Sequence, residues 1–77
     1  MYQRIRDLRE DADKKQYHLA AYLNCSPRVY SNYECGDIDI PTEILIKLSA
    51  YYHTSTDYIL GLTNVRQPYP KAKTNRV

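Results

Sequence analysis

Residues 26–37 read SPRVYSNYECGD, a stretch that opens with a helix start and closes with a helix stop. Ser26 supplies an N-cap oxygen, and Pro27 fits the first helical position, where no backbone N–H is needed. Gly36 readily enters the left-handed backbone region that ends a helix. The spacing therefore predicts a helix over 27–34. Tyr30 and Tyr33 fall on one side of it, and Pro27, Arg28, Ser31 and Asn32 on the other. Arg28 and Asn32 stand one turn apart on that outer face.

Upstream, KQYHLAAYL (15–23) places Leu19, Ala20 and Leu23 on one side of a second short helix. Asn24 follows, a residue that tolerates positive φ. Helix 15–22, a tight turn at 23–25 and helix 27–34 make a helix-turn-helix. Ala20 is small where the two helices must approach, and Leu19, Leu23, Cys25, Tyr30 and Tyr33 form its buried side. Further out, residues 2–12 read as an amphipathic helix with Tyr2, Ile5, Leu8 and Ala12 on one face, ended by Asp13. DIDIP (37–41) is a connection. A fourth helix over about 41–52 carries Ile44, Leu45, Leu48 and Tyr52 at helical spacing, and His53 takes the place where a glycine is usual. Ser55 caps a short fifth helix, TDYIL, with Asp57 in its first turn and Gly61 at its end. No strand-like alternation occurs, so the predicted class is all-α with five short helices.

Composition narrows the function. The 77 residues suit one small domain, expected over 1–62, followed by a flexible basic tail over 63–77. All nine acids lie within the first 57 residues, and four of the eleven bases lie in the last twelve. The body is thus mildly acidic and only the tail is basic, so overall charge argues nothing about nucleic acid. No apolar run approaches the roughly 18 residues of a membrane span, and the N-terminus has no apolar signal core, so a cytoplasmic location is expected. Cys25 and Cys35 are expected as reduced thiols, and their spacing with His18 and His53 matches no compact zinc pattern. No nucleophile–base arrangement, carboxylate pair or glycine-rich loop suggests an enzyme, a cofactor or a small-molecule substrate. Nine tyrosines with no Phe or Trp must fill core positions, with each hydroxyl expected wet or hydrogen-bonded.

The segments RIRDLRED, Q-x-x-L-A-x-Y-L-N-C-S, V-Y-S-N-Y-E-x-G and S-T-D-Y-I-L-G-L-T together resemble the Cro/C1-type, or XRE, family of bacterial helix-turn-helix regulators. The resemblance covers residues 4–62 and implies a lambda-repressor-like DNA-binding domain. It implies that Gln16 binds a backbone phosphate and that Pro27, Arg28 and Asn32 meet base edges in the major groove of double-stranded DNA, with Ser26 and Ser31 on the same surface. Arg28 would be the main reader, gripping guanine bidentately. Arg9 and Glu34 stand where the family has a buried ion pair joining its first and third helices. The family also implies a homodimer, with contacts near Tyr58 and Leu62, acting as a repressor at a palindromic operator.

Several residues depart from the family pattern. Lys15 replaces the usual Ser or Thr cap of the second helix, and Lys14 an apolar residue; both are candidates for phosphate contact at a helix N-terminus. Asp37 and Asp39 stand where Lys or Arg is frequent, and Pro27 replaces a hydrogen-bonding side chain. These departures predict a shallower salt dependence of DNA binding than is usual. They also motivate an alternative: a protein-interaction module, antitoxin-like or antirepressor-binding, that keeps the fold with weak DNA affinity. Tyr51 and Tyr58 fit either a dimer surface or plain surface, and the tail either an arm along DNA or an idle terminus.

Overall fold

A computed structural model describes residues 3–68. Five helices follow one another: α1 (Gln3–Asp11), α2 (Gln16–Leu23), α3 (Pro27–Cys35), α4 (Thr42–Tyr51) and α5 (Thr56–Leu60). The described residues contain no strand. The ends of the helices lie within a residue or two of the positions that their local signals predict. Ser26 Oγ accepts from the Val29 N–H at 3.1 Å, and Ser55 Oγ from the Tyr58 N–H at 2.9 Å. Each helix leaves through left-handed backbone: Asp13 (φ 56°), Asn24 (59°), Gly36 (85°), His53 (54°) and Gly61 (81°). Asp and Asn adopt this region at low cost, and His53 is the one residue here that has to bear it.

Helices this short hold no shape alone, so packing fixes them. Ile5 and Leu8 of α1, Leu19, Ala20 and Leu23 of α2, Tyr30 and Tyr33 of α3, Leu48 of α4 and Ile59 of α5 form one core with Tyr52. Ala20 is buried at the meeting of α2 and α3, where its size permits close approach. Cys25, Ile44 and Leu45 are half-buried against this core. Ala12, expected on the apolar face, is exposed: α1 stops at Asp11, and the turn swings Ala12 outward. Tyr2 lies outside the described residues.

Two tyrosines depart from the expectation that every hydroxyl finds a partner. The Tyr52 hydroxyl is buried and makes no hydrogen bond, and the buried Tyr30 hydroxyl meets the Glu34 carboxylate outside ordinary hydrogen-bond geometry. Tyr51 instead uses its ring, packed at a tilt against Tyr22 (4.6 Å between centroids) and edge-on to Tyr52 (5.0 Å), which ties α2 to α4. That ring therefore finds its partners within the chain.

The expected tail begins against the body. Arg4 Nη1 donates to the carbonyl oxygens of Tyr58 (3.0 Å) and Thr63 (2.6 Å), and Nη2 to Asn64 Oδ1 (2.8 Å). Its guanidinium also lies 4.0 Å over the Tyr58 ring. Thr54 Oγ1 donates to the Arg66 carbonyl, and Pro68 lines an apolar groove with Ile46, Ala50 and His53. Residues 63–68 are thus strapped across α1, α4 and α5, while 69–77, with three of the tail's four bases, lie outside the described residues.

A buried hydroxyl without a partner costs free energy that a phenyl ring avoids. Tyr52→Phe is therefore expected to hold or raise the urea midpoint, whereas Leu48→Ala is expected to cost about 2–5 kcal/mol. A loss above about 1 kcal/mol in Tyr52→Phe would show that the hydroxyl is bonded.

Candidate nucleic-acid interface

The inner face of α3 is locked in place. Tyr30 is fully buried and Tyr33 nearly so. Glu34 is buried too, and its carboxylate gathers donors from two other helices. Arg9 Nε donates to Glu34 Oε2 at 2.7 Å, and Arg9 Nη2 to Oε1 at 3.2 Å. Gln16 Nε2 donates to Oε1 at 3.0 Å. The Arg9–Glu34 pair expected from the family resemblance is present, in two-pronged form, with side-chain exposures of 13% and 5%. Arg9 also reaches the Lys14 carbonyl through Nη1 at 3.0 Å. One arginine thus joins α1, the turn before α2, and α3.

Burial by itself would raise the Glu34 pKa. The hydrogen bonds from Arg9 and Gln16 and the charge of Arg9 outweigh burial, and the carboxyl ends below its ordinary value. The Tyr30 hydroxyl beside it helps hold the charge, although it makes no hydrogen bond of ordinary length and angle. Arg9 moves the other way: its hydrogen bond to Glu34 raises its pKa, against a smaller opposing effect of burial. Both shifts describe one ion pair. Burial pushes the Cys25 thiol up, which makes it a poor nucleophile.

The outer face of α3 carries Pro27 and Arg28, both exposed, and Ser31 and Asn32, both half-buried. Arg28 makes no ion pair or hydrogen bond among the described residues. The Asn32 side chain is likewise unbonded there, while its carbonyl closes the helix by accepting from the Gly36 and Asp37 N–H groups at 3.0 Å each. Ser26 is exposed at the cap, its Oγ lone pair engaged and its proton free. Asp37 and Asp39, just beyond α3, are exposed.

At the start of α2, Lys14 and Lys15 are exposed, and Lys15 contributes no side-chain cap. His18 supplies what sequence inspection missed: its Nδ1 accepts from the Lys15 N–H at 2.9 Å. This is the returning half of a capping box, with histidine in place of Glu or Gln. The forward N–H groups of α2 keep no side-chain cap, which leaves the helix end open to an anion flanked by two lysines. Gln16, expected on phosphate, spends one amide proton on Glu34 and keeps the other.

Elsewhere, Tyr58 is half-buried under Arg4, and Leu62 is 73% exposed, beside exposed Leu60 and Val65. Arg4 was not singled out in the sequence, where nothing marks its partners, which lie 54 to 60 residues away. No group of His, Cys, Asp and Glu able to hold a metal occurs among the described residues. No helix among them is long and apolar enough to cross a membrane.

Two short helices packed across a tight left-handed turn, the second held by a core and exposing a polar face, define a helix-turn-helix domain. A helix-turn-helix family profile matches residues 5–59. The chain belongs to the Cro/C1-type helix-turn-helix family of DNA-binding domains. It is 40% identical over 62 residues to the HTH-type transcriptional regulator ImmR of Bacillus subtilis, covering 80% of this chain and 49% of that one. It is 35% identical over 71 residues to the uncharacterized HTH-type transcriptional regulator YobD of the same organism, covering 92% and 62%. The chain therefore spans about half to three-fifths of the length of these relatives. No solved structure matches significantly.

Because the Glu34 pKa is lowered on folding, its stabilisation is present above the ordinary carboxylate range and is lost as pH falls through the folded value. Glu34→Gln is expected to cost about 3 kcal/mol at neutral pH, since Arg9 is left buried without its counter-charge. The gap between variant and wild type in denaturant unfolding should narrow as pH drops below about 4. A gap independent of pH would mean that the charge of Glu34 contributes nothing.

Proposed function

We propose that this protein is a sequence-specific DNA-binding transcriptional regulator, acting in the cytoplasm as a repressor. Its α3 enters the major groove, with Arg28 reading guanine and Asn32 reading adenine or holding a phosphate. Lys14, Lys15 and Gln16 hold backbone phosphates at the start of α2, and Ser26, Pro27 and Ser31 border the base contacts. The observation that carries this reading is Arg28: an exposed guanidinium without a partner among the described residues, on a helix whose opposite face is immobilised by Tyr30, Tyr33 and Glu34. A rigid helix has little backbone entropy left to lose on binding, so the ordering cost falls on the exposed Arg28 side chain.

Binding as a two-fold homodimer to a palindromic operator would set the two α3 helices about 34 Å apart. Exposed Leu60, Leu62 and Val65, next to Tyr58, support a dimer contact around α5. Occlusion of a promoter is the simplest action for such a domain. The names of the two relatives, both regulators, support the same reading.

A second reading keeps the fold as a protein-interaction module with weak DNA affinity. Exposed Asp37 and Asp39 beside α3 favour it, since they would repel phosphate. Salt separates the two readings, because only DNA binding requires an affinity that falls steeply with ionic strength.

Arg28→Ala is expected to weaken binding to the preferred site by about 1–3 kcal/mol and to flatten preference at one base pair in each half-site. Competition titrations with single-base variants of the site check this. Full discrimination retained in the variant would remove Arg28 from the role of reader.

A further inference from the structure

A depression of about 220 Å³ lies between α1, α2 and α3, and Ser31 of the outer face of α3 forms one wall of it. Arg6, Arg9, Gln16, Glu34 and Cys35 line the remainder with Gln3. Its unused hydrogen-bonding capacity is weighted toward donors. A guanidinium has five N–H donors, of which Arg9 gives two to Glu34 and one to the Lys14 carbonyl. Gln16 gives one of its two amide protons to the same carboxylate. Two donors of Arg9 and one of Gln16 therefore remain without an acceptor among the described residues. The Ser31 hydroxyl is also unbonded there. The carboxylate at the floor is already engaged by Arg9 and Gln16, and Arg9 balances its charge.

Arg6 stands at the rim. Its sole ionic partner among the described residues is Glu10, reached through Nε at 3.4 Å, with both side chains more than half exposed. Such a pair is weak and holds the side chain loosely. Both Nη groups of Arg6 are left free as donors, while Glu10 balances its charge.

We propose that this depression receives one backbone phosphate of a bound duplex and that Arg6 is a phosphate contact supplied by α1. The proposal rests on the DNA-binding reading above and extends the interface to a helix outside the helix-turn-helix. Convergent N–H donors from two arginines and an amide match the acceptor oxygens of a phosphodiester. Arg6 sits on α1, away from the base-facing residues of α3, so it adds affinity and register without sequence preference. Glu34 is a positioning residue here: one carboxylate aims both Arg9 and Gln16.

The test compares wild type, Arg6→Gln and Glu10→Gln on a duplex carrying the selected site and on single-base variants of it, over a series of salt concentrations. Arg6→Gln is expected to bind about fivefold more weakly, with the salt slope reduced by about one per bound chain. Its base preference and thermal midpoint should stay at wild-type values. Glu10→Gln, which releases Arg6, should bind more tightly. If wild type binds and Arg6→Gln matches it in affinity and slope, Arg6 is not a contact and the reading of α3 stands. An unchanged slope with a lowered thermal midpoint would assign Arg6 a structural role and equally overturn the proposal. If wild type shows no salt-dependent duplex binding, this proposal and the DNA-binding reading fall together.

Discussion

The two-pronged bond from Arg9 to Glu34 is the constraint on which the arrangement of the site depends. It takes two charges out of water, so its net contribution to stability is small. Its contribution to geometry is large, because a planar fork meeting a carboxylate allows few orientations. The same arginine holds the turn before α2 through the Lys14 carbonyl, and the same carboxylate holds Gln16. Three helices thus take their relative positions from one ion pair. The face of α3 that carries Arg28 is fixed by what happens on the opposite face.

Around that tie, the fold is built from helices of five to ten residues, none stable by itself. Left-handed exits let each helix turn sharply into the next, and a single core of aliphatic side chains and tyrosines holds them. Arg4 extends the same economy to the far end of the domain. It gathers carbonyls from both ends of the α5 exit and straps residues 63–68 to α1. This orders the apolar residues Leu60, Leu62 and Val65 at the surface, where the proposed dimer contact lies.

Much of the fold was legible in the chain because its signals are local. Ser26, Pro27 and Gly36 bracket α3, and Asp13, Asn24 and His53 mark helix exits where positive φ is required. The Arg9–Glu34 pair came from the family resemblance and the outer face of α3 from helical spacing; composition supplied neither, since a body with excess acid gives no electrostatic pointer to DNA. Long-range features stayed hidden. Arg4 sits beside the core stripe like any surface residue, and its partners come together only when α5 docks on α1. The orphan hydroxyl of Tyr52 reflects core shape, which no periodicity encodes. His18 capping Lys15 was missed because histidine is an unusual acceptor at that position. Arg6 was missed because it lies outside the helix-turn-helix and acquires meaning only beside Arg9, Gln16 and Ser31.

The proposed interface would divide its labour between Arg28 and Asn32 on α3 and Lys14, Lys15 and Gln16 at the start of α2. Pro27, Asp37 and Asp39 would weaken that interface relative to a more basic surface, which would leave much of the discrimination to sequence preference. The measurement that tests this most directly is enrichment of random-sequence duplexes by the purified protein at two salt concentrations. The account predicts a palindrome with half-sites about ten base pairs apart, recovered less well at the higher salt. Absence of any enriched sequence even at low salt would contradict it, and α2 and α3 would then be a scaffold for a protein partner.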